Sequence, residues 1–341
     1  MATDGIVLLA KKIGLTSFTS LTDVKKALGT TKVGHTGTLD SFAQGLLVVC
    51  TGRLTKLSSY ITDFDKEYSA VIKFGEETDT LEYTGNVVKT DPLPTQEQLV
   101  QSLEHFTGTY DQIPPVFSSI HVDGKRASEL VRKGKEAQVP SRKVTVHKAL
   151  LKEVQKTDDG KILYALIDFS VSKGTYIRSL ARDIAQHCGS AAHLVGLYRT
   201  RVGTFNIEDA AGYDDVKDFT IQKAVQNMEE QLASMKENSL TYQKYSFDEE
   251  RKKLQAQILT TIKPFDEKTS QLCGFTNLFL VSDQAKMDYY NGKPLRSALF
   301  GINLHDLPCN TLCAVFTKEK IFTGLFEKTD QGRLHHLFVI C

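Results

Sequence analysis

The sequence predicts an α+β fold: one large domain that interleaves strands and helices, followed by a smaller, mostly β module. Three observations lead there. With 341 residues the chain is longer than one ordinary domain and suits a large domain plus a small one. Apolar residues recur at alternate positions in some segments and at helical spacing in others, so strands and helices are mixed. After residue 277, short strand-like runs dominate. Hydrophobic residues make up 41% and charged residues 24%, a composition that builds a packed core and argues against wholesale disorder.

Taken in order, residues 5–10 are an apolar run and predict a strand. Ser17 or Thr19 can cap a helix over residues 20–28, closed by Gly29. A polar, Gly-rich loop covers residues 32–41, and residues 45–50 then read as a strand buried on both faces. Residues 68–74 alternate like another strand. Leu99, Leu103 and Phe106 place one apolar stripe on a helix over residues 96–106. Two strand-like runs, 143–154 and 162–171, flank Asp159-Gly160 and predict a hairpin. Ile177, Leu180, Ala181, Ile184 and Cys188 trace one face of a helix that Gly189 ends. Residues 227–263 are polar, charged and helix-like without a core pattern, so they read as a connector. The runs 278–281, 311–317, 321–326 and 334–340 supply the strands of the last module.

Charge and cysteine narrow the classes. The formal net charge is +1, but basic residues concentrate in 11–56, 125–152 and 173–201, and acidic ones in 63–91 and 208–250. Gathered on one face, the basic segments would form a phosphate-binding surface; scattered, they are solvated helix and loop faces. No run of about 18 apolar residues occurs, so no membrane span is expected. The start, Met1-Ala2-Thr3-Asp4-Gly5, lacks a basic, apolar leader, and a cytoplasmic location is expected. The six cysteines include no CxxC pair. His305, Cys309 and Cys313 stand four apart, but zinc sites favour tighter pairs and four ligands, so small thiols and no metal are expected. No GxGxxG follows a strand and no GxxxxGK[ST] occurs, so no nucleotide cofactor is expected.

The most unusual stretch is Gly34-His35-Thr36-Gly37-Thr38-Leu39-Asp40. Its two glycines permit close approach of a ligand, and a polar loop before a buried strand sits on a rigid support. Asp40 is its one carboxylate, a group that serves as nucleophile or base while it stays ionised. On local pattern alone Asp40 reads equally as a turn or cap aspartate, and His35 as a loop histidine bonded to backbone.

This loop, with Ala43, Gly45, Gly52, Thr55 and Lys56 beyond it, closely resembles the catalytic motif of the TruB family of tRNA pseudouridine-55 synthases. Further motifs follow in the family's order. They are Asp65-Lys66-Glu67-Tyr68 with 75–80, then 112–127, then 172–180 around Lys173-Gly174-Thr175-Tyr176-Ile177-Arg178, then 192–203. Together they span about the first 210 residues. The chain departs from the family's usual Asp-Lys-Pro-x-Gly, having Ala10-Lys11-Lys12-Ile13-Gly14, and it carries Ser41 where the family usually has Pro.

The resemblance implies a pseudouridine synthase fold with a mixed, mainly antiparallel central sheet and a PUA-like C-terminal module. It implies a catalytic domain over 1–225, a basic RNA-clamping thumb at 123–142, a helical connector at 226–272 and an RNA-binding module at 273–341. Asp40 would be the essential carboxylate, Tyr68 the base-stacking ring and Arg178 the partner of Asp40. His35, Lys56, Tyr176, Arg201 and, in the thumb, Lys125, Arg126, Arg132 and Lys133 would meet the RNA. The implied reaction turns uridine 55 of the tRNA T-loop into pseudouridine after the base is flipped out, without cofactor, metal, membrane or guide RNA. A monomer is expected. Two rivals stand beside this: an RNA-binding or RNA-folding protein on the same scaffold without catalysis, and a related enzyme directed by partner proteins and a guide RNA.

Overall fold

The computed structural model describes residues 4–118, 120–122, 125–126, 139–236 and 246–340. The chain begins with β1 (Gly5–Lys11), α1 (Ser17–Leu28), β2 (Val33–His35) and β3 (Gln44–Thr51). A short helix α2 (Ser58–Thr62) leads to β4 (Lys66–Phe74), the small hairpin of β5 (Glu76–Thr78) and β6 (Val87–Thr90), α3 (Gln96–Phe106) and β7 (Gly108–Gln112). Two-residue strands β8 (His121–Val122) and β9 (Lys125–Arg126) pair with each other ahead of the long hairpin of β10 (Arg142–Lys156) and β11 (Ile162–Val171). Next come α4 (Ile177–His187), β12 (Ala192–Val202), β13 (Phe205–Asn206), α5 (Ile221–Lys236), α6 (Ser246–Thr261) and α7 (Glu267–Leu272). The last module holds β14 (Thr276–Phe279), α8 (Asp283–Tyr290), β15 (Thr311–Phe316), β16 (Phe322–Lys328) and β17 (Leu334–Val339).

The central sheet has nine strands, ordered β1-β3-β12-β4-β11-β10-β7, with β2 on β3 and β13 on β12. It is mixed and mainly antiparallel, as expected: its one parallel pairing joins β3 to β12. The C-terminal sheet is separate, in the order β14-β15-β16-β17. Leu99 and Leu103 of α3 and Ile177, Leu180, Ala181 and Ile184 of α4 bury their apolar stripes in one core with Ile72, Ile167 and Phe169 of the sheet. The helix α5 meets the sheet at Gly196, where a Cβ would stand only 2.7 Å from Ala224 Cβ. A glycine there lets helix and strand approach.

Why β1 and β3 read as unbroken apolar runs is plain from their two covers. Ile6, Leu8, Leu46 and Val48 pack with Phe265, Phe275, Phe316, Phe322 and Leu325 of the C-terminal region. Val7, Leu9, Leu47 and Val49 pack with Leu21 and Val24 of α1 and with Ile258 of α6. Both faces are dry, so the period-two alternation disappears.

Three expectations need correction. The helix α1 starts at Ser17, three residues earlier than expected, and its cap is Thr16, whose side chain accepts from Thr19 N. Ser17 cannot cap because its hydroxyl is engaged with Leu39. The segment read as a connector is helical, but it has a core role. Ile258 is fully buried, Arg251 pairs with Asp23 at 2.9 Å, and Lys263 exchanges backbone hydrogen bonds with Ile6. Its apolar positions are too few to show a stripe in sequence, and the expected boundary at residue 225 falls inside α5. Within the last module, α8 lies between strands where only strands were expected.

Candidate active site

The loop after β2 turns at Gly37 (φ +152°) and delivers Asp40 to the mouth of a cleft of about 870 Å³. The same cleft is lined by His35, Lys66, Tyr68, Tyr176, Arg178 and Arg199. Three of the residues expected to carry chemistry, Asp40, Tyr68 and Arg178, thus come together from a loop, the strand β4 and the first turn of α4.

Arg178 faces Asp40 along two atoms. Its Nη2 donates to Asp40 Oδ1 at 3.3 Å, and its Nε lies 3.0 Å from Oδ2 without being aimed at it. The same guanidinium donates to Thr80 O and Phe117 O, both at 2.9 Å. Its side chain is 6% exposed against 35% for the carboxylate. A cation fixed by three elements therefore presents its charge to a carboxylate that remains open to the cleft, an arrangement that orients one acidic group and keeps it accessible.

The loop itself is bolted down from behind. Ser17 Oγ donates to Leu39 O at 3.0 Å and accepts from Leu39 N at 2.8 Å. Arg199, 2% exposed, donates to Leu46 O at 2.7 Å, Gly37 O at 3.2 Å and Thr38 O at 3.4 Å. Lys11 Nζ donates to Leu15 O at 2.6 Å and to Ala43 O at 2.7 Å, tying the turn after β1 to the segment just past Asp40. Burial lowers Lys11 to about 7, with Asp40 pulling it up and Arg199 pushing it further down. At the parallel junction, Gly45 (φ +117°) lies so close to β12 that a Cβ would stand 2.4 Å from Arg199 O. Only glycine satisfies both the backbone angle and that approach.

Around the rim, Tyr176 exchanges two hydrogen bonds with the Gln112 amide, and the Arg142 guanidinium lies 5.3 Å from its ring centroid. Burial, then Arg199, lowers His35, which therefore favours the neutral imidazole. Glu82 also lines the cleft; burial raises its carboxyl, Thr84 and Arg178 act against that shift, and Asp40 adds to it. Lys66 is lowered to about 8, chiefly by burial.

Not every expected contact lies at the cleft. Lys56 Nζ donates to Val339 O at 3.1 Å and sits 5.7 Å from the Phe338 ring, so it fastens the C-terminal sheet to the domain. Arg201 pairs with Glu67 at 2.8 Å. Arg199 pairs with Tyr68 in the ladder, and an irregularity before Arg201 sets it beside Glu67 instead, on the sheet face away from Tyr68. Arg132 and Lys133 lie outside the described residues, and so do the side chains of Lys125 and Arg126. The sequence reading missed Lys11, Ser17, Arg199 and Glu82. Arg199 lay two residues from Arg201 in one motif, and nothing in their types separates them; only strand facing does. Of the cysteines in the metal spacing, Cys313 is buried and Cys309 exposed, and among the described residues no group of three His, Cys, Asp or Glu side chains is placed to hold a metal ion.

The model of the TruB family pseudouridylate synthase N-terminal domain matches residues 25–177. The chain is 40% identical over 309 residues to tRNA pseudouridine synthase B of Treponema denticola, covering 85% of this chain and 84% of that protein. It is 46% identical over 209 residues to tRNA pseudouridine synthase B of Borreliella burgdorferi (strain ZS7), covering 61% and 72%. Among solved structures, a chain of a Cbf5-Nop10-Gar1 complex superposes with a TM-score of 0.60 at 22% identity, covering 99% of this chain and 84% of that one. At that identity the superposition speaks for the shared fold alone.

Proposed function

The chain belongs to the TruB family of pseudouridine synthases, and from that premise we propose that it isomerises uridine 55 in the T-loop of tRNA. It is an isomerase acting on tRNA. The observation that carries the proposal is Asp40, open to a large cleft and faced by a buried Arg178 that also donates to two backbone carbonyls. A uridine in a folded loop is out of reach, so the base must leave its stack and enter the cleft. Tyr68 offers the ring against which it lies.

The chemistry needs no redox partner. The bond from N1 to C1′ breaks, a bond from C5 to C1′ forms, and the C5 proton is lost while N1 is reprotonated. Asp40 begins this either by attack on the nucleoside or by taking a proton from the sugar, and in both routes it must be ionised and held. Arg178 holds it. His35, Tyr176 and Arg142 frame the entry, and the basic segment 123–142 serves as the clamp on the RNA backbone. Lys56 and Arg201 are weaker members of the contact set because both are engaged within the protein. The domain assignment is catalytic up to the end of α5, whose Ile221 and Ala224 belong to the central core, then a connecting region to residue 272 and an RNA-binding module for 273–341.

The test is direct. Purified protein is incubated with unmodified tRNA transcript, and pseudouridine is mapped by carbodiimide-blocked primer extension. A stop at position 55 without any added RNA or protein supports the reading. Absence of modification on naked transcript returns the guided enzyme or the non-catalytic RNA binder. Asp40→Asn should abolish the stop and leave tRNA binding in place.

A further inference from the structure

We propose that Phe18 and Lys25 form a stacking site for an unpaired nucleotide of the RNA, lying beside the cleft on the outer flank of α1. This rests on the reading of the chain as a tRNA-modifying enzyme. It adds a contact that none of the motif residues supplies.

Phe18 is 71% exposed, the most exposed large apolar side chain among the described residues. An aromatic ring left so open buries little apolar area in the fold, and its face stays available to a ligand. Its setting is fixed rather than loose. The preceding residue, Ser17, makes the reciprocal bonds to Leu39, so the Phe18 backbone is tied to the residue next to Asp40.

Charge points to a nucleic acid. Lys25 Nζ lies 4.8 Å from the Phe18 ring centroid, and the two residues share one stripe of the helix at i, i+7. The first turn of α1 holds no acid, and the one acid on the helix, Asp23, is taken by Arg251 and Gln255 of α6 on the other flank. Helix α1 packs against β2, whose His35 lines the cleft, and Lys32 and Thr38, on either side of β2, are exposed. An aromatic face with an ammonium over it, one residue from the Ser17 that anchors the loop of Asp40, fits a base stacked on the ring and its phosphate on the lysine.

The chain contains no tryptophan, so Phe18→Trp introduces a single reporter. Saturating unmodified tRNA transcript should quench its emission. Phe18→Ala should raise KM for the transcript about 5- to 100-fold with kcat near wild type, Phe18→Tyr should restore KM, and Phe18→Leu should not. An unmoved KM in Phe18→Ala, together with unquenched Phe18→Trp emission while wild type binds and modifies the same transcript, overturns the proposal. So does a wild-type dimer that Phe18→Ala dissociates in sedimentation without change in KM, which would give the patch to a second copy. If instead no tRNA is modified by wild type, the enzymatic reading fails, and the emission still reports on Phe18 by itself.

Discussion

Two arginine–carboxylate pairs flank the same ladder between β4 and β12, and they are opposites. Arg178 and Asp40 meet at the cleft, with the guanidinium buried and bonded to two further carbonyls. Arg201 and Glu67 meet on the other face, with side chains 46% and 35% exposed. Their closest contacts, 3.0 and 2.8 Å, would rank the second pair as the better one. What differs is what each arginine does besides pair. Removing Arg178 strands two carbonyls and the carboxylate that opens on the cleft; removing Arg201 releases a solvated ion. An ion pair matters through what its burial commits, and hardly through its length.

The largest effect expected from breaking this contrast is at Asp40 itself. Asp40→Asn should lower pseudouridine formation by about 10³-fold or more in single-turnover assays while melting within about 1 kcal/mol of wild type. A variant retaining a tenth of the wild-type rate would remove the carboxylate from the chemistry. Arg178→Met comes next. It should cost roughly 2–4 kcal/mol of unfolding free energy in urea titrations and also depress kcat. If stability falls and kcat does not, the pair is structural and the contrast between the two faces disappears.

The support behind the cleft sharpens the comparison further. Gly45→Ala must clear a 2.4 Å contact with Arg199 O at a positive φ, and should destabilise by about 2–3 kcal/mol, with loss of activity following loss of fold. Lys11 gives the pH signature. Its folded-state value of about 7 lies below its ordinary 10.5, so the unfolded chain holds the proton over that interval and the folded one does not. Stability contributed by Lys11 therefore rises as pH climbs from about 7 toward 10.5, and the cost of its buried charge is complete below 7. The difference in unfolding free energy between wild type and Lys11→Met should change along that window and flatten below it. Smallest is Arg201→Ala, expected within about 0.5 kcal/mol in stability. If Arg201 meets a phosphate, the salt dependence of tRNA binding should lose about one unit of slope; an unchanged slope keeps it a surface ion.

Asp40, Tyr68 and Arg178, which line one cleft, are legible in the sequence because they sit in ordered motifs, and the hairpin of β10 and β11 is legible because Asp159-Gly160 marks the turn. Sequence could not separate Arg199 from Arg201. Their difference depends on one irregular residue in the pairing with β4, which has no mark in residue type. Lys11 was visible only as a motif letter, since a buried ammonium collecting carbonyls from two loops is a tertiary fact. The role of α6 escaped for a related reason: besides Ile258 and the partly buried Leu254, what fastens it is polar, the ion pairs of Arg251 with Asp23 and of Glu250 with Lys12.

The first strand is also the one completed last. β1 carries Ile6, whose backbone bonds to Lys263 and whose side chain shares a core with Phe275, Phe316 and Phe322. During synthesis α1 and β3 follow this apolar segment at once, but Ile6 and Leu8 wait for more than 250 residues before Phe265, Phe275, Phe316 and Phe322 complete the cover on their face. Until then that face is adhesive. A shortened gene ending near residue 260 should consequently yield inclusion bodies rather than a smaller working enzyme, and ribosome-bound chains of that length should be strong clients for chaperones.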